Sequence, residues 1–372
     1  MKPIFRLTAL LALIFMALSP ALAVAVNGQA MPCDGLADAD CKLLQDSISA
    51  DGMAKLSSFT TDYSLTAKIA GTDASDGDIK VTGNGAFAID PAVTAAMKSG
   101  AGNTDSANPL SVLNNLTMST TVKAEGSMVG SQTSSFELRS VGGNLYFKGN
   151  TIAQGKWMVL NLAAATQFAQ GYIASSVESM VQSFMPSNGG TSNVAGDPKV
   201  QADLMTLIKT PGVFKGDASD GPSVDGQPTK KFTYSLDVAV LVNNPGFKKL
   251  ALDAITASGQ PDAEQVVASI DPIAIQEVLK DSKFQIIWLV GSSDNLLHGF
   301  ELSLAVKIEP TVVSILTNNN NPKEFDANVD LNIQLSKIGQ PVKVDPVPDA
   351  QMPDIFSFFG GSQVTPAPTA AQ

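Results

Sequence analysis

Apolar and polar residues alternate along much of the chain, and this alternation predicts long β-strands. Residues 58–70 show it clearly, because every second position is apolar, aromatic or β-branched: Phe59, Thr61, Tyr63, Leu65, Ala67 and Ile69. A period of two is the pattern of a strand with one buried face. The pattern recurs in about eleven segments, joined mostly by short turns that favour antiparallel pairing. The sequence therefore predicts an α+β fold with one large, curved antiparallel sheet.

A helical period interrupts the strands in several places. In residues 165–185 it gathers apolar side chains on one helix face, Val181 among them, and six of these are candidate lining residues: Phe168, Tyr172, Ile173, Val177, Met180 and Phe184. Asn244-Pro245 and Asp271-Pro272 each place a capping side chain directly before a proline, which is typical of a helix start. Because clean alternation leaves one sheet face to be covered, we expect helices to cover the concave face of the sheet.

Residues 142–162, which read GGNLYFKGNTIAQGKWMVLNL, predict a pair of strands. Alternation places Leu145 and Phe147 on one face, and Met158 and Leu160 on one face of the second strand. We expect these four side chains to face the helix at 165–185, across either a packed core or a gap large enough for a lipid. Trp157 falls on the opposite face, where we expect it to lie under the N-terminal helix that begins near residue 43.

The first 23 residues have the features of a secretory signal peptide. Lys2 and Arg6 precede an apolar run, and Ala21-Leu22-Ala23 forms a small-residue cleavage site. An uncleaved membrane anchor is the alternative, but the apolar run is short for a span of about 20 residues. We therefore expect an exported protein, either extracellular or in the cell envelope, that is soluble rather than lipid-anchored.

Only two cysteines are present, in the segment PCDGLADADC. In an exported protein, Cys33 and Cys41 are expected to form a disulfide. Lipid attachment to Cys33 is the alternative, but Met31-Pro32 does not provide the small residue that a lipobox places before its cysteine. We divide the mature chain into an N-terminal segment (24–41), a single domain (42–344) and a tail rich in proline and alanine (345–372), which we expect to lack stable structure.

Composition excludes some classes of partner. The formal net charge is −11, which argues against binding nucleic acid by charge. Hydrophobic residues make up 44% of the chain and charged residues only 16%, so a substantial core can be buried.

Residue patterns for catalysis or metal binding are largely missing from the sequence. The only histidine, His298, has no G-x-S-x-G serine to accompany it, and one histidine with two cysteines cannot build a zinc site. The Asp-rich turns GTDASDGD and GDASDGPSVDG lack calcium-loop spacing. We expect a non-catalytic protein without metal or cofactor, and a hydrolase built on His298 is the weaker alternative.

Several of these segments together resemble the exported lipid-binding proteins of the LppX/LprG group, which share a half-barrel fold with the LolA/LolB lipoprotein carriers. GGNLYFKG followed by GKWMVLNL is similar to a strand pair of that group, and VDGQPTKKFTYSLD, with its turn at Asp225-Gly226, resembles a later strand. The order of elements matches over residues 55–340. The resemblance implies a half-barrel whose concave face and helices enclose a hydrophobic cavity for acylated molecules. The acyl-anchored cysteine of the group is missing here, so no membrane tether is expected.

Two functions are compatible with this pattern. The first is a carrier or receptor for a lipid or other hydrophobic small molecule, with a transient contact to a membrane or an envelope protein and with a cavity lined by the ten residues named above on strands 142–162 and helix 165–185. The second is a structural or interaction protein of the envelope with the same fold and a filled core. The two functions differ in whether the space between sheet and helices is open.

Overall fold

The structure is a computed structural model, and it describes residues 32–71, 76–90, 116–127, 133–150, 155–162, 202–203, 206–207, 209–257, 272–310 and 323–351. Its helices are α1 (Asp38–Ile48), α2 (Ala50–Ala54), α3 (Val238–Asn243), α4 (Pro245–Ala257) and α5 (Pro272–Leu279). Its strands are β1 (Ser58–Ala70), β2 (Gly77–Ile89), β3 (Leu116–Glu125), β4 (Ser134–Val141), β5 (Asn144–Gly149), β6 (Met158–Asn161), β7 (Phe214–Asp220), β8 (Thr229–Leu236), β9 (Lys283–Gly291), β10 (Leu297–Ile308) and β11 (Phe325–Ser336). The predicted signal peptide, the helix at 165–185 and the chain beyond 351 lie outside the described residues.

These strands form one open antiparallel sheet in the order β6-β5-β4-β3-β2-β1-β11-β10-β9-β8-β7. Strands β1 to β6 follow one another as a meander, which we call the N-terminal half-sheet. Strands β7 to β11 form a second meander, the C-terminal half-sheet. The two join where β1 pairs with β11, so that Thr60 lies opposite Ser336. The eleven strands confirm the prediction of one large antiparallel sheet.

The register sorts the side chains into an apolar face and a polar face. Directly paired residues share a face, and one row of such partners is apolar across both halves: Val81, Leu65, Leu331, Leu302 and Ile286. The adjacent row is polar: Lys80, Thr66, Asp330 and Ser303. The alternation seen in the sequence is therefore the alternation of these two faces.

A dense hydrophobic core covers the apolar face of the C-terminal half-sheet. Phe232 of β8, Trp288 of β9 and Phe300 of β10 are buried together, and the Trp288 and Phe300 rings meet edge to face at 4.7 Å. Helices supply the other side of this core, including Leu44 of α1 and Leu250 of α4. Helices therefore pack on this part of the sheet. The helix predicted at residues 165–185 lies outside the described part of the chain, so helical cover over the rest of the predicted concave face stays a prediction.

Two helix starts follow the sequence prediction, and a third helix corrects it. Helices α4 and α5 begin at Pro245 and Pro272, as predicted. The alternation around Phe232 predicts a strand that continues to Val240, but β8 ends at Leu236 and α3 begins at Val238. The reason is Asp237, whose carboxylate accepts a hydrogen bond from the Val240 amide (3.1 Å) and so caps a helix.

A short N-terminal segment closes the β7 edge of the sheet. Cys33 and Cys41 form the predicted disulfide, with their Cα atoms 5.4 Å apart. Within this loop the Asp34 carbonyl accepts a hydrogen bond from the Gly216 amide of β7 (2.7 Å). Gly35 has φ +86°, and a side chain there would collide with the Gly216 carbonyl. The segment therefore protects an edge strand whose backbone groups could otherwise pair with another chain.

Residues 341–351 form a second cover, which we call the C-terminal strap. The strap approaches the polar face of the N-terminal half-sheet, where Arg139 Nη1 donates to the Asp345 carbonyl (3.4 Å). It ends on the β6 edge: the Val159 amide donates to the Gln351 carbonyl and the Gln351 amide to the Trp157 carbonyl, each at 2.9 Å. Each edge of the sheet is thus held by a chain segment without regular structure. No helix among the described residues is long and apolar enough to cross a bilayer.

Candidate functional site

The apolar face of the sheet is buried less completely in the N-terminal half-sheet than in the C-terminal half-sheet. In strands β2 to β6, most of the large apolar side chains on this face are only half-buried, and these are Ile79, Val81, Phe87, Ile89, Leu116, Val122, Phe136, Leu138, Leu145, Met158 and Leu160. The strands β1 to β6 place no charged side chain on this face within the described residues. A continuous apolar surface of this kind is the strongest candidate for a ligand site in the described chain.

Four of the predicted cavity-lining residues lie together on this face. The register places Leu145 opposite Leu160 and Phe147 opposite Met158. Phe147 is 9% exposed, whereas the other three are half-buried. Their role in binding a ligand stays a prediction. The remaining predicted lining residues, Phe168, Tyr172, Ile173, Val177, Met180 and Phe184, lie outside the described residues.

Trp157 lies on the opposite, polar face, as alternation predicts. Its ring contacts the guanidinium of Arg139, 4.8 Å from the ring centroid, and the Lys148 ammonium lies 5.7 Å away. The expectation that Trp157 lies under the N-terminal helix is wrong. Helix α1 packs against β9 and joins the apolar core of the C-terminal half-sheet, at the other end of the strand order.

A small group of hydroxyls interrupts the apolar face near its middle. Within the described residues of β1 to β3, the polar side chains on this face are Thr61, Tyr63 and Thr120. The Tyr63 and Thr120 hydroxyls are 3.3 Å apart. Thr61 is 7% exposed, and its Oγ1 has no hydrogen-bond partner. From the sequence, Thr61 and Tyr63 are predicted only as strand positions. Hydroxyl side chains in phase with the apolar residues were the signal that could have identified them.

Two glycines shape the surface around these hydroxyls. Gly83 and Gly85 of β2 share the face, and an added Cβ would lie 2.3 Å from the Tyr63 ring at Gly83 and 2.6 Å from the Phe87 ring at Gly85. The missing side chains therefore allow both aromatic rings to lie against the β2 backbone. Tyr63 can in this way reach from β1 across β2 to Thr120 on β3.

A groove of about 670 Å³ lies on the polar face, between the strap and strands β5 and β6. It is lined by Asn144, Tyr146, Val159, Asn161, Pro346, Val347, Pro348 and Ala350. On the floor of this groove, the side-chain Nδ2 of Asn161 donates a hydrogen bond to Asn144 Oδ1 (3.0 Å). This groove is on the opposite side of the sheet from the predicted lining residues, so it is not the cavity that the sequence predicts.

His298, the residue on which the alternative hydrolase prediction depends, is buried next to an aspartate. It is 3% exposed at the start of β10, and its Nε2 lies 2.9 Å from Asp294 Oδ2. Its Nδ1 is buried without a hydrogen-bond partner, so no serine hydroxyl or cysteine thiol among the described residues donates to this nitrogen. In the part of the chain that the structure describes, no three His, Cys, Asp or Glu side chains come together as metal ligands.

Tyr234 also has a buried hydroxyl, but this hydroxyl has a hydrogen-bond partner in the backbone. Its hydroxyl donates to the Pro32 carbonyl (2.9 Å), which attaches the N-terminal segment to β8. Burial raises the pKa of the Tyr234 hydroxyl above its ordinary value. This contrasts with Thr61, whose hydroxyl is buried with no such partner.

Comparison with known proteins does not assign the chain to a family. No protein-family model matches it, and no curated protein matches it. The likeness to the LppX/LprG group therefore stays a resemblance, carried by the strand pair at 142–162 and the strand at 224–237.

Proposed function

We propose that this protein is an exported, non-catalytic binding protein that holds a lipid or another acyl-chain molecule against the apolar face of its N-terminal half-sheet. The observation that carries the proposal is a contrast within one face. The C-terminal half buries this face in a core with helices, whereas the N-terminal half keeps most of its large apolar side chains half-buried. Half-buried apolar surface gives an apolar ligand something to bind.

Hydrophobic burial supplies enough free energy for such binding. Each 100 Å² of apolar surface removed from water contributes about 2.5 kcal/mol, before the loss of ligand freedom is subtracted. Because no charged side chain lies on this face in β1 to β6, an acyl chain meets no ionic group there. Polar head groups are disfavoured over most of the same surface.

The finer features of the proposal rest on the sequence predictions and on the resemblance described above. In this proposal the sheet curves as a half-barrel, and its concave face is covered by the helix that the sequence predicts at residues 165–185. The signal peptide at 1–23 delivers the protein outside the cell or into the envelope. The ligand is loaded and released during transient contact with a membrane or an envelope protein. No metal or cofactor takes part.

A pair of adjacent variants tests the site. Leu160→Asn changes the apolar face, and Val159→Asn makes the same kind of change on the polar face of the same strand. In a titration with a fluorescent fatty-acid probe, we expect Leu160→Asn to weaken binding at least ten-fold and Val159→Asn to change it less than two-fold. Equal melting temperatures would show that both variants fold. Equal effects of the two variants, or no probe binding by the wild type, would contradict the proposal.

One observation favours the second function, an envelope interaction protein with a filled core. Met118 and Phe147 are already buried on the apolar face of the N-terminal half-sheet. If the rest of that face is filled in the same way, the probe will not bind and the protein will carry no lipid. The titration therefore separates the two functions.

A further inference from the structure

We infer that the hydroxyls of Thr61, Tyr63 and Thr120, which we call the hydroxyl cluster, bind a neutral oxygen-bearing group of an amphiphilic ligand whose chain lies over strands β4 to β6. This inference rests on the proposed function and specifies its ligand. The inference adds a polar contact to the apolar site, because it places the oxygen-bearing end of the ligand near the middle of the sheet.

The register places the hydroxyl cluster and the predicted lining residues in line. One row of paired residues crosses six strands, and its members are Thr61, Gly85, Thr120, Leu138, Phe147 and Met158. Neighbouring strands are about 4.8 Å apart, so Thr120 lies about 14 Å from Met158 along the row. A medium-length acyl chain can therefore extend over the apolar half of this row while its polar end lies at the hydroxyls.

The hydroxyls of Thr61 and Tyr63 have spare hydrogen-bonding capacity. Thr61 Oγ1 is buried and makes no hydrogen bond. Among the described residues, the Tyr63 hydroxyl has two long contacts, at 3.3 Å to Thr120 Oγ1 and at 3.5 Å to the Thr121 carbonyl, whereas hydroxyl hydrogen bonds are usually about 2.7–2.8 Å. Since an unpaired buried hydroxyl destabilises the protein, a ligand oxygen that pairs with it gains affinity.

The surroundings indicate that this oxygen is uncharged. A hydroxyl can both donate and accept, so it can pair with an ester, an amide, a carbonyl or an alcohol. An ionised carboxylate needs a cation nearby when water is removed, and β1 to β6 place no lysine or arginine on this face within the described residues. An acyl ester therefore fits the hydroxyl cluster better than a free fatty acid does.

The glycines of β2 hold this arrangement in place. A side chain at position 83 would collide with the Tyr63 ring. Because Gly83 has none, the ring can lie across β2 with its hydroxyl next to Thr120 of β3. Phe87 lies against Gly85 and stacks on Phe59, with ring centroids 5.3 Å apart. Because Thr61 Oγ1 is buried in the ligand-free protein, neighbouring side chains must move aside before a ligand oxygen can reach it.

The experiment compares three competitors that carry chains of the same length. Monolaurin, laurate at pH 8 and dodecane are each used to displace a fluorescent acyl probe from the full-length protein. We expect monolaurin to bind the wild type about ten-fold more tightly than dodecane does. Tyr63→Phe and Thr61→Val should each remove most of this preference and leave dodecane affinity within two-fold. Thr61→Ser keeps a hydroxyl and should restore the preference.

The controls separate recognition from structure. Thr66→Val makes the same change as Thr61→Val on the polar face of β1, and it should leave all three affinities unchanged. If the hydroxyls only support the sheet, the variants will lower the melting temperature and weaken all competitors alike, which would overturn the inference. Probe binding without any preference for monolaurin would also overturn it while leaving the proposed function intact. If the wild type binds no probe at all, both proposals fail.

Discussion

The two halves of the sheet share one apolar face, but they bury it differently. In the C-terminal half, Phe232 and Trp288 lie in a closed core with residues from α1 and α4. In the N-terminal half, equivalent positions such as Phe136 and Leu138 are only half-buried. The alternation that places all these residues on one face is the same in both halves. Alternation thus determines which side chains share a face of the sheet, whereas their burial depends on the elements that pack on that face.

The largest expected effect tests this contrast with one substitution at two places. Phe232→Ala empties part of the closed core and should lower the free energy of unfolding by about 3–5 kcal/mol. Phe136→Ala removes a half-buried ring and should lower the free energy of unfolding by about 1–2 kcal/mol, because folding removes less of this ring's apolar surface from water. Urea denaturation measures both. Equal losses would show that the N-terminal half is packed as tightly as the C-terminal half.

The next effect concerns the two edges of the sheet. Replacing both cysteines by serine (Cys33→Ser, Cys41→Ser) should destabilise the protein by about 2–3 kcal/mol, because the disulfide closes a short loop. Hydrogen exchange should become faster at the Gly216 amide of β7, which Asp34 holds, and should stay unchanged at the Val159 amide of β6.

Truncation after Gln340 is the matched experiment for the other edge. It removes the strap, so the Val159 amide should exchange faster while the Gly216 amide stays protected. If either change opened both edges, the two covers would not act independently.

The smallest expected effect depends on pH. The hydrogen bond from Lys215 (2.9 Å), together with that from the Val240 amide, holds the pKa of Asp237 below its ordinary value. A lowered pKa in the folded protein contributes stability above the unfolded value of about 3.9, and this contribution is lost as the pH falls through the folded pKa.

Asp237→Asn keeps the helix cap and removes the charge. It should therefore destabilise the protein slightly at pH 7, by less than the cysteine variants do, and the difference from the wild type should disappear in acid. Asp217→Asn on β7 is the control. A difference that stays constant from pH 7 to pH 2 would show that the charge of Asp237 is not involved.

Sequence patterns predicted the local features of the fold better than the distant ones. Alternation identified the strands, and Asn244-Pro245 identified a helix start, because these signals depend on near neighbours. The pairing of β1 with β11 joins Thr60 to Ser336, and no local pattern specifies a contact at that separation. At Asp237, alternation continued past the strand end because the valines of α3 keep a period of two for a few residues.

The same distinction applies to the candidate site. The face shared by Leu145, Phe147, Met158 and Leu160 followed from alternation alone. The hydroxyl cluster did not, because it forms only when the register brings Thr61 of β1 and Thr120 of β3 to either side of Gly85. The strap groove also needs two distant segments, Asn144 to Asn161 and Pro346 to Ala350, to meet.

The most direct test of the central claim is the mass of the native protein purified from its own host. If the half-buried apolar face binds an acyl-chain molecule, native mass spectrometry should show a protein that carries extra mass, and organic extraction should release a lipid of that mass. The Leu160→Asn variant, prepared in the same way, should arrive with much less of it. A wild-type protein whose mass equals that of the polypeptide alone, and which yields no lipid on extraction, would contradict the account.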